Sequence, residues 1–284
     1  MKKTVLFAAA LFAVSAVSAQ TGEITSNRGE NWLSQDGDWG LTFDAQPLLN
    51  YAGNLFNGSS SGNTGGFNNV NTAALTWANP MFAIQGKKLI DANTAYRGKL
   101  RIGFGSTKNT ELVNDVTSTE TPPAQVEDVQ KLSNFAVVLG AGLEKRVGST
   151  RVVGVYGAEA YIAFSSSKTT YEYGNALTST NQNHTNTFGQ GAGVTEDKNG
   201  SMFGFGVGVF GGIEWFCAPK VSISGEYTWG LMLSSQGSGE TTVESWDPVA
   251  SSTTSTTTET GKTSSFGLDT GVSGASLGIN FYFQ

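Results

Sequence analysis

From residue 39 onward, apolar residues recur at every second position through most of the chain. A β-strand sends successive side chains to opposite faces, so each such run has one apolar face and one face of different character. In 201–216, Phe203, Phe205, Val207, Val209, Ile213 and Trp215 alternate with Gly204, Gly206, Gly208, Gly212 and Glu214. In 220–235, Val221, Ile223, Tyr227, Trp229 and Leu231 alternate with Ser222, Ser224, Glu226 and Thr228. The same period runs through 39–51, 81–89, 95–107, 132–146, 151–170 and 265–283, which predicts eight strands. Parity slips at 271–274, which predicts a β-bulge there. Ten strands is the alternative, because Asn79-Pro80 breaks the Ala73–Trp77 pattern that precedes the second run and the long connections could yield a further pair.

The non-apolar face carries Gly, Ser and isolated charges. The acids are Asp44, Glu144, Glu159, Glu214 and Glu226, and the bases are Arg97, Lys99 and Arg101, each flanked by apolar or small residues. A soluble sandwich has the reverse arrangement, with charge on the wet face and large apolar side chains in the core. The pattern predicts an all-β, antiparallel up-and-down transmembrane β-barrel with a polar interior. Its lipid-facing aromatics are Phe104, Tyr156, Phe164, Phe203, Phe205, Trp215, Tyr227, Trp229, Phe281 and Phe283, with Phe216 placed in the same girdle. Connections alternate in length: 53–79, 108–131, 171–200 and 236–264 are long, while 91–94, 148–150 and 217–219 are short. This predicts short periplasmic turns and long extracellular loops.

Residues 1–19 read as a secretory signal peptide: Lys2 and Lys3, an apolar run, then Val17-Ser18-Ala19 before Gln20. Residues 20–38 read as an N-terminal periplasmic arm and 39–284 as the barrel. Of 17 basic and 23 acidic residues, the leader takes two basic ones, so the mature chain carries −8; this disfavours nucleic acid. The single Cys217 cannot form an internal disulfide. No later run of about 18 apolar residues offers a spanning helix.

The stretches "GGIEWFCAPKVSISGEYTWG" at 211–230, "DANTAYRGKLRIGFG" at 91–105 and "SLGINFYF" at 276–283 resemble the small eight-stranded outer-membrane barrels of the OmpA and OmpX type. The resemblance covers roughly residues 39–284, loops excepted. It implies a Gram-negative outer-membrane address, outer-membrane lipid around the barrel, and handling by the barrel-assembly machinery. Gln284 departs from the terminal aromatic usual in such barrels.

An eight-stranded barrel has interior room for side chains only, so the acids and bases above should meet as a luminal charge network. One reading is a structural plug. The protein then acts in envelope structure or binds an extracellular ligand through its loops. The other is a gated small channel or transport accessory. An enzyme ranks lowest, because His184 is the only His and has no triad spacing to Ser or Asp. One His and one Cys far apart give no metal site, and no cofactor is expected. The polar tracts 54–66 and 251–265 read as flexible, hydrated surface, with Trp246 either a recognition tip or a contact onto the barrel itself.

Overall fold

The structure, a computed structural model, describes residues 24–45, 84–269 and 275–284. Among them there is no helix, and every strand belongs to one antiparallel sheet. The strands are β1 (Trp39–Asp44), β2 (Ile84–Asp91), β3 (Thr94–Asn114), β4 (Gln125–Val147), β5 (Val152–Glu172) and β6 (Val194–Ala218), then β7 (Val221–Gln236), β8 (Glu240–Asp247), β9 (Ser252–Glu259), β10 (Thr263–Asp269) and β11 (Ala275–Phe283). Each of β1 to β6 pairs with its successor, and β11 pairs with both β7 and β1. Hydrogen bonding therefore closes a ring of eight strands, β1 to β7 plus β11.

The remaining strands prolong this ring. Along β6, β7 pairs as far as Met202↔Gln236, and β8 continues from Lys198↔Glu240 to Val194↔Val243. β9 and β10 return along β8 and β7. The segment 236–264, expected to be a long loop, is instead a continued hairpin that reverses between Asp247 and Ser252. Its Ser/Thr tract is strand β9 rather than flexible surface. Thr is β-branched and suits an extended backbone, and the backbone groups of β8 need hydrogen-bond partners. For the same reason 108–114 and 125–131 extend β3 and β4, leaving 115–124 as the connection. The tract 54–66 lies outside the described residues.

β10 and β11 share β7 end to end. Between Asp269 and Ala275 the chain advances six residues while the partner positions, Gly230 and Tyr227, are only three apart. An odd offset exchanges the faces of a strand. Exposed apolar positions are accordingly even in β10 (Phe266, Leu268) and odd in β11 (Leu277, Phe281). The predicted bulge at 271–274 itself lies outside the described residues.

Burial follows the alternation. On β5, Val153, Val155, Glu159, Tyr161, Ala163 and Ser165 are buried, while Val152, Ile162 and Phe164 are exposed. Of the aromatics expected on the outer face, Phe104 is 81% exposed, and Phe164, Phe203, Phe205, Trp215, Trp229, Phe281 and Phe283 are also exposed. Tyr156 and Tyr227 are half-buried on the same face. Phe216 is a correction: next to outward Trp215, it must point inward, and it is fully buried.

The three tight connections share one end of the ring. There Leu89, Ala95, Val153, Val155, Phe216 and Tyr282 form an apolar layer, capped by Leu33. Leu33 belongs to the segment 24–38, which folds under this end. The Gly37 amide donates to the Leu89 carbonyl at 3.2 Å and the Leu89 amide to that of Asp38 at 2.9 Å. The Lys220 amide donates to the Trp32 carbonyl at 3.1 Å, and the Arg151 guanidinium lies 4.0 Å over the Trp32 ring. Buried Asp38 pairs with the Lys220 ammonium. Lys220 has φ +60°, a left-handed conformation costly for a residue with a side chain, and the Asp38 contact holds this turn in place.

Candidate functional site

Above the apolar layer, inward-facing side chains of β2 to β7 form one charged cluster. β2 supplies Lys87, β3 Arg97 and Lys99, and β4 Glu144 and Arg146. β5, β6 and β7 supply Glu159, Glu214 and Glu226. Glu144 is the hub, 0% exposed: Lys87 Nζ lies 3.1 Å from it, Arg97 Nη1 3.6 Å and Arg146 Nη1 2.6 Å. Glu214 receives Arg146 at 2.9 Å and Lys87 at 3.8 Å. Arg97 reaches Glu226 at 2.7 Å and Lys99 reaches Glu159 at 2.8 Å. The cluster holds four cations and four anions, so its formal charge is zero.

Neutral groups complete it. The Tyr282 and Ser222 hydroxyls donate to Glu214 Oε1 at 2.6 and 2.5 Å. Lys99 donates to the Tyr161 hydroxyl at 2.8 Å. The Arg97 guanidinium stacks 4.0 Å over the Phe210 ring. Asn280 bridges Ser222 and Thr42, at 3.0 and 2.5 Å. Strand register makes space for these long side chains by setting glycines beside them. A Cβ on Gly140 would come within 2.7 Å of the Tyr161 ring, and one on Gly212 within 3.0 Å of Glu226 Cγ and 2.2 Å of the Gly225 carbonyl oxygen.

Of the eight charges expected to meet inside, Arg97, Lys99, Glu144, Glu159, Glu214 and Glu226 do. Arg101 is half-buried one step beyond Lys99, and no carboxylate among the described residues lies within ion-pair distance of it. Asp44 is half-buried beside Gly278 and takes no part in the pairs above. Sequence reasoning missed Lys87, Arg146 and Tyr282. The first two stand in the charged runs Lys87-Lys88 and Glu144-Lys145-Arg146, where alternation is hidden. Counting parity from Ile90 as an outward position and from Glu144 as an inward one would have turned both inward.

At the opposite end, the connection 173–193 is folded onto its neighbours. Buried Asp128 accepts from the Thr185 and Thr187 hydroxyls at 2.6 and 2.5 Å, and from the Gly174 amide at 3.0 Å. The His184 ring stacks on Tyr173 at 4.1 Å, and its Nε2 lies 3.8 Å from Glu244 of β8. Burial pushes the His184 imidazole below its ordinary range, against the opposing pull of Glu244. Trp246 is half-buried on β8, and its amide donates to the Gln182 carbonyl at 3.1 Å. The exposed apolar residue at this hairpin tip is Val249, 94% accessible. Among the described residues, no group of three or more His, Cys, Asp or Glu is placed to hold a metal ion.

Compared with known proteins, the chain matches no family model, no curated protein and no solved structure.

Proposed function

We propose that the protein is an integral outer-membrane β-barrel of the small eight-stranded kind. Its interior is plugged, and it serves envelope structure or binding through its outer strands and loops. The observation that supports this most is the inversion of a closed ring: large apolar side chains exposed outside, a neutral charge cluster buried inside. In water the exposed belt would be a liability, since soluble monomers rarely show apolar patches beyond a few hundred Å². In lipid it is the required outer surface, and a ring without edges satisfies every backbone group. From Tyr96 to Phe104 on β3 the belt spans about 26 Å along the strand, about 20 Å in height at the tilt of about 40° usual in such barrels, whose apolar band is roughly 25 Å tall.

The plug reading rests on the layers. A solute would have to pass the apolar seal capped by Leu33 and then the ion-paired layer around Glu144. Separating a buried pair costs about 3–5 kcal/mol. A second reading, a gated channel, draws on one observation. Lys87 Nζ, Arg97 Nη1, Glu144 Oε2 and Glu214 Oε2 are buried at ion-pair distance without directed hydrogen bonds, which leaves the network room to rearrange.

Flotation with phosphatidylcholine vesicles, together with a mobility difference between unboiled and boiled protein on a gel, tests the barrel. Material that neither floats nor shifts sinks it. Planar-bilayer conductance then separates the two readings. A silent barrel supports the plug, whereas steps that vanish in Arg97→Gln support the channel.

A further inference from the structure

Above the apolar belt, the outer face of β3 to β6 carries four lysines in one connected patch. Phe104, Phe135, Phe164 and Phe203 mark the upper rim of the belt on these four strands. Phe104 opposes Phe135, Phe135 and Phe164 rings lie 6.2 Å apart, and Phe164 opposes Phe203. Lys108, Lys131 and Lys168 each stand four residues beyond the rim aromatic of their own strand, and Lys198 stands five beyond Phe203. Four residues keep the same face and rise about 13 Å along the strand.

The register makes the lysines neighbours. Lys108 is directly opposite Lys131, and Lys168 is directly opposite Lys198. Lys131 and Lys168 are diagonal, because Lys131 opposes Thr170. Opposed residues have Cβ atoms about 5 Å apart and diagonal ones about 7–8 Å. Like charges at opposed positions repel, and two such pairs side by side are costly unless an anion lies between them.

Carboxylates answer only one side of the patch. Lys168 pairs with Glu196 at 2.6 Å and Lys198 with Glu240 at 3.4 Å, all half-exposed or more. Glu172 lies one row further out, opposite Val129. Lys108 and Lys131 have no carboxylate within ion-pair distance among the described residues, and exposed pairs like those of Lys168 and Lys198 exchange at little cost.

We propose that this patch binds the headgroup of an anionic, phosphate-bearing lipid of the outer leaflet. Its acyl chains would lie on the Phe104–Phe135–Phe164–Phe203 rim. The inference rests on the barrel reading. The chemistry suits it: long lysine stems lie along apolar surface while their ammonium groups reach the headgroup level, and each lysine near an anionic lipid surface favours binding about fivefold.

The test is native mass spectrometry of detergent-refolded protein titrated with a bis-phosphorylated glycolipid, with phosphatidylcholine and with inorganic phosphate. Flotation on phosphatidylcholine vesicles is run first on every variant. Wild type should retain the glycolipid over phosphatidylcholine. Lys108→Gln/Lys131→Gln/Lys168→Gln should weaken that retention by more than tenfold. Lys145→Gln, on the same face at the short-turn end, should leave it unchanged. Floating protein that retains both lipids equally, or a triple variant that binds as wild type does, overturns the headgroup site and leaves the barrel standing. Retention of free phosphate matching that of the glycolipid also overturns it, since the rim would then contribute nothing. Wild type that does not float overturns the barrel and the site together.

Discussion

Along β6, residues from Phe203 to Trp215 and those from Val194 to Ser201 follow opposite rules. In the first stretch the outward side chains are Phe, Val, Ile and Trp, and the one charge, Glu214, is buried. In the second, Glu196 and Lys198 point outward into half-exposed ion pairs, and Val194 and Gly200 are the buried residues. The neighbouring strands follow suit. Glu144 lies fully buried among three cations, whereas Lys168 and Glu196 pair in the open. The same residue types thus form ion pairs in two settings. Inside, charges taken from water must be fully answered, and losing one partner strands the rest. Outside, solvent screens each pair and its contribution is small.

The sharpest way to break this contrast is Glu144→Gln, which leaves Lys87, Arg97 and Arg146 short of one anion. It should cost about 3–5 kcal/mol of stability, read from the urea midpoint of the gel-mobility shift. A loss below about 1 kcal/mol would mean the interior is wetter than its burial implies. Next is Leu33→Ala, which opens the cap of the apolar layer and should cost about 2–4 kcal/mol in the same assay. It should also raise protease access to 24–38.

The connection 173–193 sharpens the contrast through pH. With its folded pKa depressed, His184 is held neutral, so its unfolded form binds more protons. Its share of stability is complete above the unfolded value, near pH 6.5, and is lost as pH falls toward the lower folded value. Hydrogen-exchange protection across 173–193, taken against the intrinsic rate at each pH, should therefore fall as pH drops below about 6.5, and His184→Phe should flatten that dependence. The smallest effect belongs to Lys198→Gln, which removes an exposed pair: below about 1 kcal/mol, and vanishing in high salt.

Much of the ring was legible because alternation has no other cheap explanation. Phe203 to Trp215 against Gly204 to Glu214 fixes a strand and its inward face together. What stayed hidden had physical causes. Lys87 and Arg146 sit in runs of adjacent charge, where period two leaves no mark. Phe216, beside Trp215, was assigned by residue type when parity alone decides its side. β9 was read by composition, yet Ser and Thr pair readily once β8 offers a free edge. Residues 24–38 have no periodicity, and their role depends on tertiary contacts from Leu33, Trp32 and Asp38 that no local pattern announces.

The seam where β1 meets β11, with Trp39 opposite Phe283, joins positions at nearly the full separation the ring allows. The other ring contacts join successive strands, except that of β7 with β11, where β8 to β10 intervene. The β1–β11 seam must wait for loop closure over the whole ring. Until then, β1 and β11 each present a bare edge of amides and carbonyls beside a greasy wall, the combination that drives strand-to-strand aggregation. The finished ring is therefore close to all-or-none. A nascent chain lacking 275–283 has seven ring strands but two exposed flanks, and its survival depends on whatever shields those flanks while closure is pending.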